Sequence, residues 1–252
     1  MPRKSPGEAR RTLQPEEPYM YDGRPYQRHG PTTRVMPREA YERRVMEKLH
    51  STSRWENQPA AAGVTIADLD EEEIQLTVDN AVELGRLEPL KRKTTKAILT
   101  GLGLIVEGKL LNAAVALYGK SERLQPLYPQ CSIRLARFRG QNRLADFSDN
   151  RQYWGNAFAL LRRAETFLRD HVAIAGRIVP GRMKREDRAQ YPPLATREAI
   201  ANALCHRDYT TAGGAVAVGM YDDHLEIINT GTLHFDLTPK QLTKPHPSRP
   251  WN

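Results

Sequence analysis

The sequence has few of the features that mark secreted, membrane-spanning or metal-binding proteins. Only two of its 252 residues are cysteines, which is too few for a disulfide framework or a cysteine-rich metal site. No run approaches the roughly 18 apolar residues of a membrane span, and no apolar segment of a secretory signal follows the basic start. These absences predict a cytoplasmic protein without a membrane partner, in which Cys131 and Cys205 are reduced thiols.

Large apolar residues are also scarce near the start of the chain. Within residues 1–57, Leu, Ile, Val and Phe occur only as Leu13, Val35, Val45 and Leu49. So little apolar area cannot offset the conformational entropy of ordering this segment, so we do not expect it to fold alone. Its frequent prolines predict coil over residues 1–34.

Positive charge is present in excess and is concentrated in two blocks. Lys and Arg number 38 against 30 Asp and Glu, a net charge of +8. Residues 1–57 carry +4 and residues 111–190 carry +8, whereas residues 58–110 carry −3 and residues 191–252 carry −1. Concentrated cations are typical of polyanion binding, because neutralised phosphates release counterions. We therefore expect DNA as a partner, although a solvated basic surface without a partner shows the same counts.

Hydrophobic periodicity predicts an α+β arrangement. Helices are predicted over residues 38–50, around the acidic run 70–73, and over 95–102, 158–171 and 196–206. Strands are predicted over residues 113–117 and 133–138 and in a hairpin of 216–220 with 225–228, while 181–190 is predicted to be a polar connection.

Two groups of arginines are candidates for contact with DNA phosphates. Arg24, Arg28 and Arg34 lie among Tyr19, Tyr21 and Tyr26, a mixture typical of an edge strand with a basic face. The second group, Arg134, Arg137 and Arg139, supplies much of the charge around the strand predicted over 133–138.

Glu198 and Asn202 stand four residues apart on the predicted helix 196–206. Their side chains therefore lie one above the other, while Ile200 and Leu204 form a different stripe that can face a sheet. An amide oxygen is a suitable ligand for Mg²⁺, and a carboxylate can orient or deprotonate water. Taken alone, such a pair is common, and it more often marks a solvent-facing Glu with a capping or surface Asn than a site.

Longer stretches resemble a known family. They are Thr196–Tyr209, Gly213–Gly214, Asp222–Gly231 and His246–Asn252, with Tyr26–Arg34, Gly108–Gly119 and Ile133–Gly140 upstream. In these stretches the chain resembles the Schlafen AlbA-type DNA-binding proteins of bacteria and archaea. Members of that family are also described as ATP-binding proteins, transcriptional regulators or RecG-related helicases, and their C-terminal part is similar to a GHKL-type ATPase.

The resemblance implies a division of the α+β fold into four parts. Residues 1–57 would be a basic segment with the end of an AlbA-like domain, and residues 58–110 a mainly helical connector. Residues 111–190 would be a basic α+β region, and residues 191–252 the first half of a GHKL-like sandwich. The chain is accordingly expected to be an internal piece of a longer protein.

The resemblance also assigns roles to residues of the C-terminal part. Glu198 would polarise an attacking water, and Asn202 would hold Mg²⁺ against the nucleotide phosphates. Asn229 would stand where the family has an adenine-reading Asp, and Gly231 is the one glycine retained of that motif. The implied cofactors are ATP and Mg²⁺.

Asn229 thus replaces the family's Asp, and only one glycine of the motif is retained. Because of these two departures, three alternatives for function are considered. The preferred interpretation is a DNA-associated transcriptional regulator with a partial, impaired ATP-binding module. The second is an ATP-dependent enzyme of the GHKL type, and the third is an inactive fragment of one. Self-association into a homo-oligomer is compatible with each. A kinase is excluded, because His206-Arg207-Asp208 lacks the following Asn of a catalytic loop, and Gly213 stands in its place.

Overall fold

The computed structural model describes residues 19–29, 32–42, 44–45, 54–89, 94–178, 185–211 and 213–231. The chain forms two compact units, Met1–Arg54 and Trp55–Asn252. Both helices and strands are present, which confirms the α+β class expected from the sequence. The finer division into four parts stays a prediction.

The N-terminal unit contains an antiparallel sheet with strand order β1-β2-β3. Its strands are β1 (Tyr19–Tyr21), β2 (Arg24–His29) and β3 (Thr32–Val35). Asp22 and Gly23 both have positive φ, 48° and 68°, which suits the tight turn of a two-residue hairpin. Coil was therefore the wrong prediction for residues 19–29 and 32–34, while the strand indicated by the tyrosines is confirmed. Residues 38–42 and 44–45 are helical, as predicted.

The second unit begins with short helices around one apolar core. They are α1 (Glu71–Glu83), α2 (Thr95–Gly101), α3 (Asn112–Tyr118) and α4 (Ser121–Leu127), with β4 (Ile105–Val106) and β5 (Lys109–Leu110) as a small hairpin. Asp70 begins α1, because its side chain accepts a hydrogen bond from the Glu73 amide at 3.1 Å. Ile74, Leu99 and Leu124 have no exposed surface and form the centre of this core.

The strand predicted over residues 113–117 is instead helix α3. A five-residue apolar run fits a buried strand or a buried helix equally well by periodicity. The helix buries Ala114, Val115 and Tyr118, which lie on adjacent stripes facing the core. Tertiary burial therefore decides between two local structures that the residues permit.

The second half of this unit contains a four-stranded mixed sheet with order β11-β10-β6-β7. Its elements, with the intervening ones, are β6 (Ser132–Phe138), β7 (Phe147–Trp154), α5 (Ala157–His171), β8 (Ile174–Ile178), β9 (Arg185–Ala189), α6 (Pro193–Cys205), β10 (Val216–Met220) and β11 (Leu225–Ile228). Strands β6 and β10 are parallel, while β7 and β11 run antiparallel to their neighbours. The hairpin predicted at 216–228 is confirmed.

Helices α5 and α6 cover one face of this sheet. Ile133 and Leu135 of β6 lie opposite Val216 and Val218 of β10, so these four apolar side chains share a face. They pack against Phe167 and other residues of α5 and against residues of α6, namely Ile200, Ala203 and Leu204. The helices supply the crossover that a parallel strand pair needs.

Residues 181–190 are not wholly a connection, because Arg185–Ala189 forms β9 and pairs antiparallel with β8. The charged sequence of β9 has no apolar alternation from which a strand can be recognised. Within the described ranges, no helix is both long and apolar enough to cross a membrane.

Candidate functional site

Helix α6 positions the pair that the sequence analysis selected. Proline at its N-terminal first turn is favourable, because proline lacks an N–H and has a helix-compatible φ. Ile200 and Leu204 are buried against the sheet, whereas Glu198 and Asn202 are exposed on the other side of the helix. The predicted separation of two stripes is therefore confirmed.

The two polar side chains contact each other. Asn202 donates from Nδ2 to Oε1 of Glu198 over 3.2 Å. This contact uses the amide nitrogen of Asn202 and leaves its Oδ1 on the exposed surface of the helix. An amide oxygen oriented by a neighbouring carboxylate is a suitable hard ligand for a cation such as Mg²⁺.

The segment after β11 lies against the C-terminal end of α6. The His206 amide donates to the carbonyl of Asn202 at 2.9 Å, so His206 is one turn beyond the pair. A Cβ on Gly231 would lie 1.8 Å from the carbonyl oxygen of His206, which leaves room only for glycine. Thr230 Oγ1 also donates to the Asp208 carbonyl at 3.1 Å. Asn202 and Gly231 are 29 positions apart in the sequence. The fold brings both to the C-terminal end of α6.

Asn229 forms a local turn with Gly231. Its Oδ1 accepts a hydrogen bond from the Gly231 amide at 2.8 Å. The oxygen that the family resemblance would use to read an adenine amine is thus already engaged with the backbone. In this arrangement Asn229 Oδ1 already has a donor, whereas the contact with Glu198 uses only the nitrogen of the Asn202 amide.

Arg207 is only 6% exposed, and no role was predicted for it from the sequence. Its guanidinium donates to the Gly214 carbonyl at 2.6 Å and to the Ser132 carbonyl at 3.5 Å. With these two hydrogen bonds, Arg207 holds the loop after α6 to the start of β6. Tyr209 of the same loop stacks on Trp55, with 5.1 Å between ring centroids and 9° between ring planes. The only sequence signal is the triplet 206–208, which carries no indication of burial.

The two cysteines do not provide a reactive thiolate. Burial raises the pKa of Cys131 to about 12. Burial and the nearby Glu198 carboxylate both raise the pKa of Cys205. Since the thiolate is the nucleophilic form, both thiols remain protonated at neutral pH.

The second arginine group does not form one free basic cluster. Arg134 and Arg139 are exposed. Arg137 is only 22% exposed in its side chain and forms an ion pair of 2.7 Å with Asp222. It also donates to the carbonyl of Phe138. Arg137 therefore fastens the end of β6 to the turn after β10.

The first arginine group is divided between two faces of the N-terminal sheet. Arg34 lies opposite Gln27, while Arg28 lies opposite Thr33. Because neighbouring residues of a strand point to opposite faces, Arg24 and Arg28 share one face and Arg34 lies on the other. All three are exposed.

Comparison with known proteins indicates the fold alone. The chain matches no protein-family model, and no curated protein matches it. A solved structure, that of the DIP2311 protein from Corynebacterium diphtheriae, is similar with a TM-score of 0.57 at 18% sequence identity. The similarity covers 90% of this chain and 43% of that one. This chain therefore spans less than half the length of that protein.

Proposed function

We propose that this chain is a cytoplasmic DNA-associated regulator of the Schlafen AlbA type, with a partial ATP site at the C-terminal end of α6. The observation that supports the site is the close approach of Gly231 to the carbonyl of His206, one turn beyond Asn202 on α6. Local sequence does not require this approach.

Each residue of the site has a distinct role. Asn202 Oδ1 would be one ligand of Mg²⁺, a cation that keeps several waters and takes few protein ligands besides phosphates. Glu198 holds the Asn202 amide in that orientation. Gly231 lets the backbone after β11 approach α6. Since Asn229 Oδ1 is engaged with Gly231, adenine is held weakly and the module binds ATP with impaired affinity.

Calorimetry with Mg-ATP tests the site. The wild type is expected to bind, and Asn202→Ala to weaken binding at least about tenfold, which corresponds to about 1.4 kcal/mol. Asn150→Ala is the matched control, because Asn150 is an exposed asparagine on β7, and its affinity should equal that of the wild type. Absence of heat from the wild type, at concentrations that detect a millimolar site, rejects the nucleotide proposal.

The DNA association is supported by the two exposed arginines of the middle region, Arg134 and Arg139. Log affinity should fall linearly with log salt, because phosphate neutralisation releases counterions. Replacing both arginines by alanine should make the slope of log affinity against log salt shallower, by about one for each phosphate that is no longer neutralised. The effect should be the same for every DNA sequence. An affinity that does not change with salt contradicts electrostatic binding.

ATP hydrolysis is a second candidate, favoured by the exposed carboxylate of Glu198 beside Asn202. A carboxylate there can orient or deprotonate water. Glu198→Gln keeps a hydrogen-bond acceptor for Asn202 but removes the base. It should therefore bind Mg-ATP and release no phosphate, whereas the wild type releases it. No phosphate release by the wild type rejects hydrolysis and leaves binding to be judged separately.

A further inference from the structure

The antiparallel register of the N-terminal sheet places aromatic and basic side chains on one face. Tyr21 lies opposite Arg24, Tyr26 opposite Val35 and Arg28 opposite Thr33. Residues directly opposite in an antiparallel pair share a face, as do residues two apart on one strand. We call this surface, formed by Tyr21, Arg24, Tyr26, Arg28 and Val35, the tyrosine–arginine face.

The side chains on this face are open to solvent to a large extent. Tyr21 is 75% exposed and Val35 is 55% exposed, while Tyr26 is half-buried. The rings of Tyr21 and Tyr26 meet edge to face, with centroids 6.4 Å apart and an angle of 68°. Arg24 and Arg28 are exposed as well. A ring as exposed as that of Tyr21 contributes little to folding, and neighbouring exposed apolar and aromatic side chains indicate a binding surface.

We infer that the tyrosine–arginine face binds single-stranded nucleic acid; the inference rests on the proposed DNA association and names its substrate class. The bases of a single strand stack on tyrosine rings, and arginines neutralise its phosphates. In a duplex the bases are stacked on each other, so an aromatic ring on a sheet surface cannot reach their faces. Arg28 is four positions after Arg24, about 13 Å along a strand, so one extended single strand can follow both.

The opposite face of the same sheet supplies matched controls. Arg34 lies there with Gln27, and Met20 lies there with Pro25. Arg34 is exposed and Met20 is 54% exposed. Arg34→Ala therefore removes the same charge as Arg24→Ala but from the opposite face. Met20→Ala removes an exposed side chain from β1, as Tyr21→Ala does, but leaves the tyrosine–arginine face unchanged.

The test is fluorescence anisotropy of a labelled oligothymidine and of a duplex of equal length, with the full chain and its variants. Tyr21→Ala should lower affinity for the single strand about 5- to 150-fold, since stacking on one ring is worth about 1–3 kcal/mol per base. Met20→Ala should bind as the wild type does. Arg24→Ala and Arg28→Ala should each reduce the salt slope for the single strand more than Arg34→Ala does.

The outcomes separate this inference from the proposed function. Unchanged single-strand affinity in Tyr21→Ala, with DNA still bound, overturns the inference and leaves the DNA association standing. Equal losses in Arg24→Ala and Arg34→Ala also overturn it, because binding would then depend on total charge. If the wild type binds neither oligonucleotide in dilute salt, both proposals fail. Circular dichroism of each variant establishes that a loss does not arise from unfolding.

Discussion

The guanidinium of Arg207 lies over the ring of Tyr209, with 4.6 Å between its Cζ and the ring centroid. This buried cation is supported by two backbone carbonyls and by the electron-rich face of the ring. Its Nε has no acceptor within the part of the chain that the structure describes. Tyr209 packs against the helical core of the second unit, whereas Gly214, which accepts from Arg207, lies just before β10. Arg207 therefore joins the loop after α6 to the helical core and to the sheet.

We expect Arg207→Ala to lower the free energy of unfolding by about 2–4 kcal/mol. The change leaves a cavity and removes the donor from two carbonyls, one of them on the buried Gly214. Urea unfolding monitored by circular dichroism measures the loss. Arg134→Ala, the replacement of an exposed arginine, should stay within about 0.5 kcal/mol of the wild type. Similar values for the two variants would show that Arg207 does not join these parts.

The start of α5 depends on Asn156, which is 4% exposed. Its Oδ1 accepts from the Ala159 amide at 2.9 Å, and its Nδ2 donates to the Gly119 carbonyl at 3.2 Å. Asn156→Ala removes both bonds and should cost about 1–2 kcal/mol of unfolding free energy. Asn156→Asp keeps the cap acceptor but removes the donor to Gly119, so the two variants separate the cap from the tether. Wild-type stability of the alanine variant would contradict this account.

Gly231→Ala should reduce the affinity for Mg-ATP. The new Cβ would meet the His206 carbonyl oxygen at 1.8 Å, so the segment after β11 has to move away from α6. Calorimetry measures the affinity. Gly155→Ala is the control, because its Cβ would have neighbours no closer than 3.5 Å, an ordinary van der Waals distance. An unchanged affinity in Gly231→Ala would show that the approach of this segment to α6 does not form the nucleotide site.

Acid should weaken the link between the β6–β7 loop and the β10–β11 hairpin. Hydrogen bonds from Arg143 hold the pKa of Glu226 below its ordinary value of 4.5. A lowered pKa in the folded state means that this stabilisation is full above pH 4.5 and is lost as pH falls through the folded pKa. Arg143 contacts the Glu226 carboxylate at 3.1 Å, and Tyr221 donates to the same oxygen at 3.1 Å.

Glu226→Gln should therefore lose less stability than the wild type as pH falls below 4.5. Urea unfolding of both proteins from neutral pH to about pH 3 gives the comparison. The variant should retain some acid sensitivity, because Arg151 and His171 also lower the pKa of Asp149. Parallel pH profiles for the wild type and the variant would contradict the role given to Glu226.

Short-range pattern was sufficient for several elements. The helix over residues 158–171, the helix at the acidic run 70–73 and the β10–β11 hairpin were predicted and are confirmed. It was insufficient where local residues permit two structures, as in α3, or show no periodicity, as in β9. The contact of Glu198 with Asn202 was predictable from helical geometry, because the two residues are one turn apart.

By itself, the sequence determined the class of the fold, the two blocks of positive charge and the stripe of α6 that carries Glu198 and Asn202. Those features depend on composition and on residues that are only a few positions apart. A helix or a strand places such residues in the same geometry in every fold. Only the tertiary structure decided that β6 pairs with β10, that Gly231 reaches the end of α6 and that Arg207 is buried. It also decided that Arg34 lies on the other face from Arg24 and Arg28. Strand register and close packing join residues that are distant along the chain, and no local pattern encodes that proximity.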